Sequence, residues 1–120
     1  MIDHVSLRVR DYARSKEFFT KALMPLGYEL IMEFGTSGGF GPKGKPEFWV
    51  SQKLGARSTH IAFASPDRKT VDAFYAAAMA AGGRDNGKPG IRMHYHANYY
   101  AAFVHDPDGN NIEAVCHTAE

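Results

Sequence analysis

The sequence has few of the features that mark secreted, membrane-spanning or nucleic-acid-binding proteins. It has one cysteine, Cys116, in 120 residues, which excludes an internal disulfide and favours a reducing, cytoplasmic setting. No apolar run approaches the roughly 20 residues needed to span a bilayer. Its net charge of +1 produces no strong field, so we expect neither a nucleic acid nor a membrane as a partner. At this length we expect a single domain, residues 1–120.

The second half of the sequence repeats the first. When the chain is aligned with itself so that His4 meets His60, further matches follow in order. They are Val5 with Ile61, Leu7 with Phe63, Asp11 with Asp67, Phe18 with Phe74, Phe19 with Tyr75, Ala22 with Ala78 and Gly27 with Gly83. The matches include turn residues as well as apolar ones. We therefore predict two modules, at about 1–54 and 57–118.

Each module begins with a strand and continues with a helix. The strands show alternating apolar residues and the helices show apolar residues at helical spacing. Asp11 is the expected cap of the first helix, and Ser65 that of the second, with Pro66 in the first helical position. Three further strands are predicted in each module, at about 28–34, 38–41 and 47–52 in the first and 84–93, 99–105 and 111–117 in the second. The plan is βαβββ, twice.

Three polar residues alternate with apolar ones and should face away from the helices. If Val5 packs beneath the helix of its module, His4 points to the other face of the sheet, and His60 does so by the same parity. In the last strand Ile112 faces the helix and Glu113 does not. Two imidazoles and a carboxylate form the ligand set of catalytic zinc and of non-haem iron. A single histidine on a strand is more often only hydrogen-bonded or exposed, so the pattern alone leaves both readings open.

The closing run from Ala102 to Val115, with Asp106-Pro107-Asp108-Gly109 as its turn, resembles the final hairpin of the vicinal oxygen chelate superfamily. The opening residues 3–9 and the mid-chain residues 59–63 also resemble that superfamily, and the resemblance covers essentially the whole chain. The group includes glyoxalase I, bleomycin-resistance proteins, fosfomycin-resistance thiol transferases, methylmalonyl-CoA epimerase and extradiol dioxygenases. The resemblance implies an α+β fold in which two tandem βαβββ modules form a curved, open, mixed β-sheet. It also implies a divalent metal ion (Zn, Fe, Ni, Co or Mn) on His4, His60 and Glu113.

One position departs from the glyoxalase I pattern, which has a fourth, carboxylate ligand on the last strand of the first module. Trp49 stands there, opposite Glu113, and Glu47 lies two residues nearer the turn. Without that carboxylate, proton shuttling loses its base, so true glyoxalase I activity is not expected. We expect a metal-dependent lyase or isomerase, thiol transferase or dioxygenase, in which Glu113 also serves catalysis. The alternatives are a metal-free protein that sequesters a small molecule, as bleomycin-resistance proteins do, and a purely structural repeat.

Candidate substrate-binding residues lie around this triad. Arg92, His96 and Tyr99 belong to a polar, aromatic segment before the seventh strand that forms either a substrate rim or a solvated loop. His96 is the preferred acid–base residue. Arg8 could hold an anion or pair with a surface carboxylate, and Trp49 could line the pocket or lie in the core. No role is assigned to His94, His105 and His117.

Short members of the superfamily often pair modules from two chains. We therefore expect a homodimer that acts on a small-molecule substrate. In a swapped arrangement, His4 of one chain would meet His60 and Glu113 of the other.

Overall fold

The computed structural model describes residues 2–120 and leaves Met1 outside. The first module contains β1 (Val5–Val9), α1 (Tyr12–Ala22), a 3₁₀ turn (Met24–Leu26), β2 (Glu29–Phe34), β3 (Ser37–Gly41) and β4 (Phe48–Gln52). The second contains β5 (His60–Ala64), α2 (Arg68–Ala80), β6 (Arg84–Ile91), β7 (Tyr100–His105) and β8 (Asn111–Cys116). The repeated βαβββ plan is confirmed, and the strand ends lie within about two residues of the expected ones.

Each module forms one four-stranded sheet. The strand orders are β1-β4-β3-β2 and β5-β8-β7-β6, so the two sheets have the same topology. In each, the first and last strands of the module are parallel neighbours, and the other neighbours are antiparallel. Both sheets are therefore mixed and open, as expected. Within residues 2–120 no strand pairing joins the two sheets.

Both helices begin after an aspartate. Asp11 caps α1, as expected. The expected cap of α2 is wrong: Asp67 caps it, accepting a hydrogen bond from the Thr70 backbone N–H at 2.7 Å, while Ser65 and Pro66 precede the helix. Hydrogen bonds from Thr70, first from its side chain and second from its backbone N–H, lower the pKa of Asp67 below its usual value, because they stabilise the charged carboxylate. No helix in residues 2–120 is long and apolar enough to cross a bilayer.

The helix-facing sides of the two sheets share one hydrophobic core. Phe19 of α1 packs edge-on against Phe48 of β4, with ring centroids 5.0 Å apart. Phe48 in turn packs against Phe63 of β5 at 5.2 Å, which joins the two modules. Phe74 of α2 is also fully buried in this core. Since one face of each sheet is committed to the core, the opposite faces carry the polar residues at alternate positions.

Candidate functional site

The strand register shows which residue of the first module corresponds to Glu113. In the second module Ala62 pairs with Glu113 across β5 and β8. In the first module Ser6, the repeat equivalent of Ala62, pairs with Trp49 across β1 and β4. The expected correspondence of Trp49 with Glu113 is confirmed. At equivalent places the second module therefore presents a carboxylate and the first presents an indole.

Glu113 and His60 meet on the face of the second sheet that points away from the helices. Glu113 is only 2% exposed, whereas the His60 side chain is 49% exposed. Their nearest atoms, His60 Nε2 and Glu113 Oε1, lie 3.1 Å apart. The other ring nitrogen of His60, Nδ1, lies 2.9 Å from the backbone carbonyl oxygen of Asn111. A buried carboxylate and a half-exposed imidazole thus converge at the surface of the sheet.

These contacts determine what can lie between the two groups. A carbonyl oxygen only accepts hydrogen bonds, so His60 Nδ1 carries the hydrogen and donates it to Asn111. In neutral His60 the lone pair is then on Nε2, and it faces Glu113 Oε1, which also carries lone pairs. The contact is favourable only if a cation lies there, either a proton shared by the pair or a metal ion. A histidine that binds a metal ion usually donates its other ring N–H to a carbonyl or carboxylate oxygen, which fixes the orientation of the ring. The donor set therefore fits a divalent ion.

Tyr99 contacts the other oxygen of Glu113. Its hydroxyl donates a hydrogen bond to Glu113 Oε2. Burial of the phenol, together with this hydrogen bond and the nearby carboxylate, raises the pKa of Tyr99 above its ordinary value. The phenol therefore stays protonated and continues to donate. In this structure Tyr99, expected to bind substrate, contacts a candidate ligand of the metal ion.

His96 and His117 form a hydrogen-bonded pair next to Tyr99. The Asn98 backbone N–H donates to His96 Nδ1 at 3.1 Å, so the hydrogen of neutral His96 is on Nε2. His96 Nε2 then donates to His117 Nδ1 at 2.8 Å. Both rings lie edge-on to the Tyr99 ring, with centroids 5.4 and 5.3 Å away. Both ring nitrogens of His96 are therefore engaged, and the remaining nitrogen of the pair is His117 Nε2.

Arg92 is anchored on the preceding strand, β6, and on an aromatic ring. Its guanidinium donates to the carbonyl oxygens of Gly90, at 2.9 Å, and Lys88, at 2.8 Å. It also lies over the Phe103 ring, 5.2 Å from the centroid. His60 is stacked on the same ring, with centroids 6.5 Å apart. Arg92 therefore lies near the pair of ligand-type residues, with two of its nitrogens already bound to backbone.

On the first module, Trp49 and Phe34 form an exposed aromatic pair. Their rings are stacked at 15°, with centroids 6.3 Å apart, and Phe34 is 65% exposed. The indole lies over Gly39, where an added Cβ would come within 2.9 Å of two ring atoms. Trp49 is half-buried on the sheet face and does not belong to the core. Arg8 is exposed, at the register position of Ser51, and lines a separate surface recess.

His4 lies just before β1 and apart from the other two predicted ligands. Its Nδ1 is 2.9 Å from Asp3 Oδ2, and it lines a cavity of about 250 Å³ at the junction of the modules with Tyr28 and Glu47. The Tyr28 hydroxyl donates to Glu47. Within residues 2–120 no three His, Cys, Asp or Glu side chains converge as a metal site would require. One chain therefore brings together two of the three predicted ligands.

Sequence reasoning gave no role to two residues of this face. Phe103, between His60 and Arg92, pairs with Glu113 across β7 and β8, and the register of the final hairpin could have identified it. His117 follows Glu113 by four residues, so strand alternation predicts that both side chains lie on one face. Its partner His96 comes from a loop whose path the sequence does not indicate. The His94 ring lies against the Tyr95 ring with centroids 4.2 Å apart and the planes tilted by 43°.

The family model of the Glyoxalase/Bleomycin resistance protein/Dioxygenase superfamily matches residues 1–114. A solved glyoxalase/bleomycin resistance protein from Albidiferax ferrireducens T118 is similar with a TM-score of 0.81 and 27% identity, covering 98% of this chain and 99% of that chain. A glyoxalase/bleomycin resistance protein/dioxygenase family enzyme from Burkholderia phytofirmans PsJN has a TM-score of 0.73 and 18% identity, over 97% and 98%.

A glyoxalase I variant from Zea mays is also similar, with a TM-score of 0.72 and 24% identity over 95% of this chain but 46% of that one. At these identities the Burkholderia and Zea structures show a common fold alone. No curated protein matches the sequence.

Proposed function

Because the chain belongs to the glyoxalase/bleomycin resistance protein/dioxygenase superfamily, we propose that it is a divalent-metal-dependent enzyme acting on a small, oxygen-bearing organic molecule. The reaction is of the lyase or isomerase, thiol transferase or dioxygenase type. The observation that supports this most is the contact between His60 Nε2 and Glu113 Oε1, at 3.1 Å. Both atoms present lone pairs to the same point, on a face that the core does not cover.

The proposed ligands are His60 and Glu113 of one chain and His4 of the partner subunit. The first two already meet, and His4 does not join them within one chain. A homodimer that places the first module of one chain against the second module of the other would complete the set. Zn, Fe, Ni, Co and Mn ions all accept two imidazoles and a carboxylate. The indole of Trp49 in place of a second carboxylate argues against glyoxalase I chemistry.

When bound, the ion would act as a Lewis acid that stabilises negative charge on substrate oxygens. The side chains around the ion have separate roles. Arg92 supplies positive charge for an anionic group of the substrate. Arg8 and Trp49 lie on the first module, so in the proposed dimer the other chain would contribute them, Arg8 as a second positive charge and Trp49 as an apolar wall. Proton transfer falls to His96, acting with His117 through the hydrogen bond between them. His96 uses both of its ring nitrogens in hydrogen bonds, so it would exchange a proton with substrate once one of these bonds opens, while His117 Nε2, which carries the hydrogen of neutral His117, can donate a hydrogen bond to substrate.

Metal analysis tests this function. Protein purified without chelator, or reconstituted after dialysis, should bind one ion per chain. Glu113→Gln and His60→Ala should lose the ion, because each removes one of the two converging donors. His94→Ala is the matched control: it removes an exposed imidazole that is not among the proposed ligands, and it should bind the ion as wild type does. If wild-type protein binds no ion after reconstitution, the metalloenzyme proposal fails.

The alternative function is metal-free sequestration of a small molecule, and one observation favours it. The stacked Trp49 and Phe34 rings expose aromatic surface on the first module, which suits an apolar or planar ligand. Trp49 is the only tryptophan of the chain, so its fluorescence reports ligand binding directly. A ligand that changes this fluorescence equally with and without chelator supports sequestration. A response that needs the ion supports the enzyme.

A further inference from the structure

The two oxygens of the buried Glu113 carboxylate have different partners. Oε1 faces His60 Nε2 at 3.1 Å, and Oε2 accepts the hydrogen bond of the Tyr99 hydroxyl. A carboxylate can hold a metal ion through one oxygen or through both. Here the phenol hydroxyl holds one lone pair of Oε2 and fixes the direction of that oxygen, while Oε1 is the oxygen that faces His60. The geometry of the carboxylate therefore depends on where the phenol is held.

Tyr99 is itself held from several sides. The Arg92 backbone N–H donates to the Tyr99 carbonyl oxygen at 2.8 Å, and the Tyr99 N–H donates to the His96 carbonyl oxygen at 3.2 Å. The Tyr95 ring lies 4.7 Å from the Tyr99 ring, and His117 meets it edge-on at 5.3 Å. Backbone bonds on both sides and rings around the phenol leave it little freedom. A side chain held in this way can hold its own partner in place.

We propose that Tyr99 is a positioning residue that restrains Glu113 as a one-oxygen metal ligand, presenting Oε1 next to His60. The proposal rests on the metal site proposed above, and it replaces the expected substrate contact of Tyr99 with a role exerted through Glu113. Residues behind the ligands that orient them affect metal affinity by roughly 10- to 100-fold when they are removed. Loss of the phenol hydroxyl should therefore weaken metal binding and change the geometry around the ion.

A purely structural role is the competing explanation, since a buried carboxylate needs a hydrogen-bond donor whatever its function. The chain contains a matched pair that separates the two roles. Tyr12 is buried, and its hydroxyl donates to the Glu33 carboxylate at 2.5 Å. That pair lies in the first module and includes none of the proposed ligands. Tyr12→Phe removes the same kind of hydrogen bond as Tyr99→Phe, so a difference in metal binding between them reports position and not folding.

The experiment titrates Co²⁺ into metal-free wild type, Tyr99→Phe and Tyr12→Phe. Calorimetry measures the affinity, and the visible absorption of the bound ion reports its coordination. Tyr99→Phe should bind about 10- to 100-fold more weakly with an altered absorption spectrum. Tyr12→Phe should match wild type in both. Wild-type affinity and an unchanged spectrum in Tyr99→Phe overturn the positioning role while leaving the metal site standing. If wild type binds no Co²⁺, the metal site fails and the positioning role fails with it.

A second measurement does not depend on the variant folding. The infrared difference between metal-bound and metal-free wild type shows the carboxylate bands that change when the ion binds, and Glu113 is the one carboxylate among the proposed ligands. The separation of the asymmetric and symmetric stretches is larger for a carboxylate that binds through one oxygen than through two. A large separation supports the proposal. A small separation, as in two-oxygen binding, contradicts it even if Tyr99→Phe does not fold.

Discussion

Mixing two inactive variants tests whether the proposed site draws ligands from two chains. His60 and Glu113 converge within one chain, whereas His4, half-exposed, lies apart at the start of β1. In a symmetric dimer each site would combine His60 and Glu113 of one chain with His4 of the partner subunit. His4→Ala and His60→Ala should each abolish metal binding alone. In a mixed dimer, however, the His4→Ala chain still supplies His60 and Glu113, and the His60→Ala chain still supplies His4.

The size of the recovery follows from this division of the ligands. After joint refolding of equal amounts, random pairing gives about half mixed dimers, and each has one complete site out of two. About a quarter of the wild-type metal content should therefore return. A mixture of His60→Ala with Glu113→Gln is the matched control. Those two ligands belong to the same chain in every site, so no mixed dimer can be complete and nothing should return.

The assay is the metal content of the refolded dimer after gel filtration, with light scattering to give the mass. The reasoning is refuted if wild type binds metal but the first mixture recovers none. It is equally refuted if the metal-binding species has the mass of a single chain. Recovery in the control mixture would mean that His60 and Glu113 serve different sites.

Three further outcomes test the fold. Phe48→Ala should lower the free energy of unfolding by about 3–5 kcal/mol, measured by urea denaturation, because Phe48 is 1% exposed and joins the modules; a loss below about 1 kcal/mol would contradict its central place. Gly39→Ala should shift the fluorescence of Trp49 and cost about 1–3 kcal/mol, since the added Cβ meets the indole at 2.9 Å; an unchanged spectrum would argue against that contact. Asp67→Ala should lower the melting temperature at neutral pH. The lowered pKa of Asp67 means that its contribution is present above the unfolded-state pKa and is lost as pH falls through the folded-state value, so the gap to wild type should close in acid and not in alkali.

The parts of the site that the sequence predicts are those determined by periodicity. Strand alternation requires Glu113, Val115 and His117 to face one side, and the repeat requires His60 to stand where His4 stands in the first module. Aligning the turn at Gly44-Lys45 with the turn at Asp108-Gly109 then predicts that Trp49 corresponds to Glu113. None of these inferences needs a torsion angle of a loop or a side-chain rotamer, and the pairing register confirms the Trp49 correspondence.

The parts that it does not predict depend on loop conformation. The sequence indicated that Tyr99 and Arg92 were polar groups near the site. It carried no information on the loop path that turns the phenol onto Glu113 and folds the Arg92 side chain back onto the preceding strand, β6. The prediction of the residue that caps α2 was wrong for a related reason. Ser65-Pro66 and Asp67 both fit a helix cap by residue type, and only the geometry of the chain decides between them.

The contact of Phe48 with Phe63 in the common core links the two modules energetically. Because neither half has an apolar interior of its own, we expect the chain to unfold in one cooperative transition. Any molecule that binds only the folded chain therefore stabilises both halves together. An ion held mainly by the second module, at a free concentration of 100 times its Kd, would add about 2.7 kcal/mol to the stability of the whole chain. The first helix, which contributes none of the proposed ligands, would gain the same protection against unfolding as the strand that carries Glu113.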